Sequence, residues 1–211
     1  MKKILFTILT TTIIAPVFAK DIPVTAGTDY TVISGVSKPL PQKSGKVNVT
    51  EFYSYACIHC SILEPTLDQW LKGTKNVDFN RIQVVWENNF TGYAKINATV
   101  QMLNLGTDFN QQIFNATMKQ RKDLQDPTQL KAFLTANKNL VDPNKFMATY
   151  NSFAVSTKPQ EYAQYTNAYN ITGTPTFVVG NKYMTMPAQP EKLMQVVQAL
   201  VDKVKQEQKI K

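Results

Sequence analysis

The chain carries two cysteines, Cys57 and Cys60, three positions apart, and no third. That spacing removes a whole class of folds. A cross-linked scaffold places its cysteines far apart, because a long closed loop restricts the unfolded chain most. A four-residue loop gains roughly 2 kcal/mol, against roughly 3 for fifteen residues. The fold must therefore rest on an ordinary apolar core. The only histidine, His59, lies between the two cysteines. A zinc site usually wants four ligands, and two thiolates with one imidazole crowded into a single motif do not supply them. What remains is a redox dithiol.

The start of the chain places that dithiol in an oxidising compartment. Lys2 and Lys3 form a basic n-region, Ile4 to Ile14 an apolar and threonine h-region, and Pro16-Val17-Phe18-Ala19 a small-residue cleavage site. Residues 1–19 are predicted to be a secretory signal, since the apolar stretch is shorter than the ~20 residues a span needs. No later segment is long and apolar enough to span a bilayer. Of the 211 residues, 192 then remain, enough for one good core with room for an insertion. The leader takes two lysines with it, so the formal charge falls from +8 to +6. The cations are scattered rather than run together, which reads as a solvated basic face and not as a nucleic-acid footprint.

Hydrophobic periodicity organises the rest. Residues 20–46 are rich in Pro, Gly, Ser and Thr and read as an extended arm, with a short strand at Tyr30-Thr31-Val32-Ile33. The β-branched and aromatic run 47–55 predicts a strand that feeds directly into Cys57-Ile58-His59-Cys60. Ile62, Leu63, Leu67, Trp70 and Leu71 then fall at helical spacing, with Pro65 expected to kink the helix and Gly73 to end it. A second strand is predicted over 81–86 from the alternation Ile82, Val84, Trp86. From 91 to 169 the spacing is helical throughout. Asp126-Pro127 and Asp142-Pro143 read as helix caps followed by proline at the first helical position. Phe109, Ile113, Phe114, Leu130, Phe133, Leu134, Phe146 and Tyr150 are candidates for one buried helical core. Two strands, 176–179 and 182–185, flank Gly180-Asn181 as a two-residue hairpin, and a final helix carries the stripe Leu193, Val196, Val197, Leu200, Val201, Val204. The order predicts an α/β core interrupted by a helical insert.

The chemistry follows from placement. A cysteine where a strand enters a helix sits among unpaired backbone N–H groups at the positive end of the helix dipole. Both favour thiolate, as would His59 if cationic or hydrogen-bonded. Cys60, one turn inside, should be buried and act as the resolving thiol. Stabilising the thiolate stabilises the reduced form and makes the disulfide a stronger oxidant. A Cys57 pKa about three units below ambient pH would be worth on the order of 4 kcal/mol, roughly 90 mV for a two-electron couple.

The segment Glu51-Phe52-Tyr53-Ser54-Tyr55-Ala56-Cys57-Ile58-His59-Cys60 resembles the active-site segment of the bacterial periplasmic DsbA proteins, in which a C-P-H-C motif follows an E-F-F-S-F-like strand. Gly27-Thr28-Asp29-Tyr30-Thr31 is similar to that family's N-terminal strand entry, Asn151-Ser152-Phe153 to the end of its helical insert, and the segment from Ile171 to Tyr183 to its proline loop and hairpin. The resemblance covers essentially the whole chain after the leader. It implies a thioredoxin-like core, residues 20–90 and 170–211, with an all-helical insert over 91–169. It also implies a cis Pro175 beside the dithiol, and a Thr174 backbone that pairs with substrate. Ile58 would meet substrate, and Glu51 would be a buried acid aiding proton transfer. By the same resemblance the protein would be a monomer in the periplasm without cofactor or metal. It would oxidise exported proteins as they fold and be recharged by a quinone-linked membrane oxidase of the DsbB type. One departure stands out: Ile58 replaces the family's proline, at a position that tunes redox poise.

Two other readings compete. A disulfide isomerase kept reduced would want an N-terminal dimerisation region, and 37 residues between leader and Cys57 are too few for one. A thioredoxin-fold chaperone or Cu(I) carrier would draw on the soft thiolates and on Met184 and Met186.

Overall fold

The computed structural model describes residues 23–210, so the predicted leader lies outside the described residues. Five strands form one mixed sheet in the order β1-β5-β4-β2-β3. The strands are β1 (Tyr30–Val32), β2 (Val47–Tyr53), β3 (Val77–Gln83), β4 (Thr176–Val179) and β5 (Tyr183–Thr185). The β-branched run of β2 is buried along its whole length, as befits a strand covered on both faces. Its parallel partner β3 is reached through helix α1 (Ile58–Gly73), while β4 pairs β2 from the other side, antiparallel.

Several of the predicted strand boundaries are corrected: β1 ends at Val32 rather than 33, and β2 at Tyr53 rather than 55. β3 runs over 77–83 rather than 81–86. Its register is fixed by β2, from Val47 opposite Val77 to Tyr53 opposite Gln83, and its first half, Val77-Asp78-Phe79-Asn80, alternates apolar and polar residues as well. Val84 and Trp86 lie beyond its end. The hairpin turns through three residues, since Val179 pairs Tyr183, with Gly180 and Asn181 both at positive φ. Glycine suits that backbone at no steric cost, and asparagine tolerates it.

α1 continues unbroken through Pro65 and ends at Gly73. After β3 the chain is helical up to β4: α2 (Thr91–Met102), α3 (Thr107–Phe114), α4 (Pro127–Ala136), α5 (Pro143–Tyr150), α6 (Phe153–Ser156) and α7 (Lys158–Ala168). The Asp-Pro signals operate as expected. Asp126 accepts from the Gln129 N–H, Asp142 accepts from Asn144 and Lys145, and a proline opens each helix. α8 (Pro190–Gln208) buries the whole of its predicted stripe.

The core has three parts. One lies between the sheet and helices α1 and α8, centred on Trp70 and Leu200. The opposite face of the sheet packs Phe52 and Val178 against Tyr162 and Tyr165 of α7. The predicted helical core gathers Phe109, Ile113, Phe114, Leu130, Phe133, Leu134 and Phe146, with Tyr150 at its margin. Tyr53, Tyr55 and Cys60 belong to that last cluster, so the helices after β3 pack directly on the end of β2 that leads to the dithiol.

Candidate functional site: a dithiol at a helix N-terminus

Strand β2 ends at Tyr53, and four residues later Cys57 caps helix α1 in an extended conformation, with no side-chain cap. Its own N–H is held by the Ser54 carbonyl at 3.0 Å. The sulfur therefore lies over the first open amides of the helix. Cys57 is half-buried and Cys60 fully buried. Their environments push their pKa values apart. Cys57 is lowered to about 5, chiefly by the Cys60 thiol donating to its sulfur, then by Thr174 and by the backbone N–H groups of Cys60 and His59, against a burial cost. Cys60 is raised well above its ordinary value by burial, by its bond to Cys57 and by the nearby Glu51 charge. One sulfur is a thiolate at neutral pH and the other a thiol.

Thr174 and Pro175 come alongside on the loop before β4, and their peptide bond is cis. In the thiol form Cys57 donates to the Thr174 carbonyl at 3.4 Å. Ile58 is 52% exposed next to the sulfur. His59 is exposed as well, and it supports the Cys57 thiolate through its backbone N–H, whereas the imidazole was the expected source. Beside the dithiol lies a groove of about 890 Å³ lined by His59, Ile62, Leu63, Pro175, Met184 and Met186, among others. The two methionines thus serve as groove wall. Among the described residues no group of three or more His, Cys, Asp or Glu is placed to hold a metal ion.

Glu51 lies beneath the site, fully buried in mid-strand. It belongs to a charge cluster that sequence reasoning missed. Arg81 of β3, its register partner, makes two hydrogen bonds to Glu64 of α1, at 2.5 and 3.3 Å. Its Nε lies 2.9 Å from Glu51 Oε2, a charge contact whose geometry falls short of a hydrogen bond. The guanidinium thus hydrogen-bonds Glu64 while its charge faces both carboxylates, and burial raises Glu51 to about 7 despite Arg81. A signal was available. Glu64 interrupts the apolar stripe Cys60, Leu63, Leu67, Trp70, and a charge on a core face calls for a buried partner.

The comparisons with known proteins agree with this geometry. A profile of the DSBA-like thioredoxin domain matches residues 74–197. That span begins after the dithiol, but a thiol:disulfide interchange protein DsbA from Burkholderia cepacia is 36% identical over 211 residues, covering 99% of this chain and 98% of its own. The chain belongs to the DsbA family. Another DsbA, from Pseudomonas aeruginosa, is 32% identical over 184 residues, 85% of each chain. Reduced DsbA1 from Neisseria meningitidis superposes with a TM-score of 0.79 at 35% identity, covering 88% of this chain and 97% of that one. DsbA-family proteins are thiol–disulfide oxidoreductases of thioredoxin-like fold, and this chain is one of them.

Proposed function

We propose that the protein is a disulfide donor to exported proteins. A substrate thiolate attacks Cys57 Sγ of the Cys57–Cys60 disulfide and expels Cys60 as a thiolate, which takes up a proton. A second substrate thiolate then attacks the substrate sulfur of the mixed disulfide and expels Cys57. The substrate leaves oxidised, and the enzyme keeps two electrons as the Cys57 thiolate and the Cys60 thiol. The observation that carries this reading is the opposed protonation of the two sulfurs. A thiolate at pH 7 is the better leaving group and stabilises the reduced enzyme, which is what a donor requires.

The other roles follow. Glu51, neutral or charged near pH 7 and within electrostatic reach of both sulfurs, serves proton transfer to Cys60. The Thr174 backbone and Pro175 hold the substrate strand beside Cys57, and Ile58 meets it from the helix side. His59 acts through its amide. The two stretches 20–90 and 170–211 work as the thioredoxin-like unit and 91–169 as its helical insert. Residues 1–19 direct the chain to the periplasm, where it acts as a monomer and is reoxidised by a quinone-linked membrane oxidase of the DsbB type. Among the described residues, no helix is long and apolar enough to cross a membrane.

Equilibration with glutathione redox buffers tests the proposal. A potential well on the oxidising side of thioredoxin's supports a donor. A value at or below thioredoxin's overturns it in favour of a reductase or an isomerase kept reduced.

A further inference from the structure

In the turn between β2 and α1 the amides of Tyr55, Ala56 and Cys57 are each held within the fold, and one side chain from the neighbouring strand reaches both Tyr55 and Ser54. Gln83, the last residue of β3, is fully buried. Its Oε1 accepts from the Tyr55 N–H at 2.9 Å. Its Nε2 donates to Ser54 Oγ at 3.1 Å and to its neighbour's carbonyl, Val84, at 3.0 Å. The same Ser54 Oγ accepts from the Ala56 N–H at 3.1 Å, and the Ser54 carbonyl accepts from Cys57 N–H. On the far side, Thr117 Oγ1 donates to the Tyr55 carbonyl at 2.8 Å. The amides of Tyr55, Ala56 and Cys57 are therefore all taken, and those of His59 and Cys60 are left for the Cys57 sulfur.

We propose that Gln83 is a positioning residue for the redox dithiol: it locks the Ser54–Cys57 turn from β3 and thereby keeps the Cys57 sulfur on the free amides of α1. The chemistry asks for this residue type. One planar group must accept from a backbone N–H and donate to a hydroxyl and a carbonyl at once, which only a carboxamide does. The donations are buried, so no water replaces them when they are removed. Gln83 touches neither sulfur nor substrate, and it tunes the reaction only through the backbone that carries Cys57. The inference rests on the reading of Cys57 as the exchanging sulfur.

The test uses Gln83→Met, which keeps length and apolar fit but neither donates nor accepts in this way, and Ser54→Ala, which removes the shared hydroxyl. Two readouts separate positioning from mere support: the ultraviolet thiolate titration of Cys57, and the equilibrium constant of enzyme disulfide plus two glutathione thiols against enzyme dithiol plus glutathione disulfide. Positioning predicts that Gln83→Met raises the titration midpoint by about one pH unit and shifts the equilibrium about tenfold toward a weaker oxidant, about 30 mV. Ser54→Ala shifts both in the same direction. A structural role alone would destabilise the oxidised and reduced forms equally and leave midpoint and equilibrium at the parent values; that outcome overturns the inference. If Gln83→Met does not fold, Ser54→Ala decides by the same criterion. Should the parent protein itself fail to alkylate first at Cys57, the reading of Cys57 falls instead.

Discussion

At the scale of residues, the site separates two chemically identical thiols by one helical turn. Cys57 has a half-open sulfur with amide donors beneath it, and Cys60 has none of that exposure. Alkylation of the reduced protein should therefore modify Cys57 alone, with a rate that rises through a midpoint near pH 5; peptide mass mapping would show Cys60 intact. Glu51 titrates with the opposite consequence. Its folded pKa is raised from 4.5 to about 7, so its contribution favours the fold below about 4.5 and is lost as pH rises through 7. In the oxidised protein, where the cysteines do not titrate, Glu51→Gln should abolish the fall in stability between those pH values, measured by denaturant midpoints. Arg81→Met acts differently. It leaves Glu64 without its two hydrogen bonds and Glu51 without a counter-charge, and should cost about 3–5 kcal/mol of stability near pH 7.

At the scale of elements, local signals act where local chemistry decides the outcome. Asp142 caps α5 with two backbone bonds, and Asp142→Ala should lower stability by about 1 kcal/mol without changing the glutathione equilibrium, since α5 lies outside the turn that holds Cys57. The same caps, the stripe of α8 and the strand leading to Cys57 were all legible in the sequence, because each is written in consecutive or helically spaced residues. β3 was misplaced by four residues at its start, because pairing with β2 rather than alternation fixes it. The alternation of Val77 and Phe79 with Asp78 and Asn80 is present, but Arg81, Ile82 and Gln83 are buried in succession, so the pattern breaks inside the strand and does not mark its bounds. The site divides in the same way. Cys57, Cys60, Ile58 and His59 are adjacent in sequence and easy to find, and Thr174 and Pro175 came through family resemblance. Arg81, Gln83 and Thr117 reach the site only through strand register and helix packing, so no local motif announces them. His59 was singled out for its imidazole, and its backbone N–H also faces the Cys57 sulfur.

At the scale of the whole molecule, redox state and folding stability are one equilibrium read in two ways, and their difference depends on pH in a determinate sense. In the reduced protein Cys57 has its pKa lowered from 9.0 to about 5 by folding. A depressed acid contributes stability that is fully present above its unfolded value and is lost as pH falls through its folded value. Cys60 is raised well above 9.0 by folding, so its contribution is present below the unfolded value and lost above it. The oxidised protein has neither titration. Its short disulfide loop adds roughly 2 kcal/mol to its own stability, independent of pH, which offsets the comparison without tilting it. Glu51 titrates in both forms and largely cancels. The stability of the reduced form relative to the oxidised form should therefore be flat below about pH 5, climb from there to about 9, and decline beyond as the unfolded Cys60 ionises. Cys57 is only half-buried, so solvent screening trims the height of the climb but not its sign or its onset. Urea midpoints of the two forms across that range would reveal it. A difference that stayed level from pH 5 to 9 would mean that folding does not hold Cys57 as a thiolate, and the driving force for giving the disulfide away would have to come from somewhere other than this helix terminus.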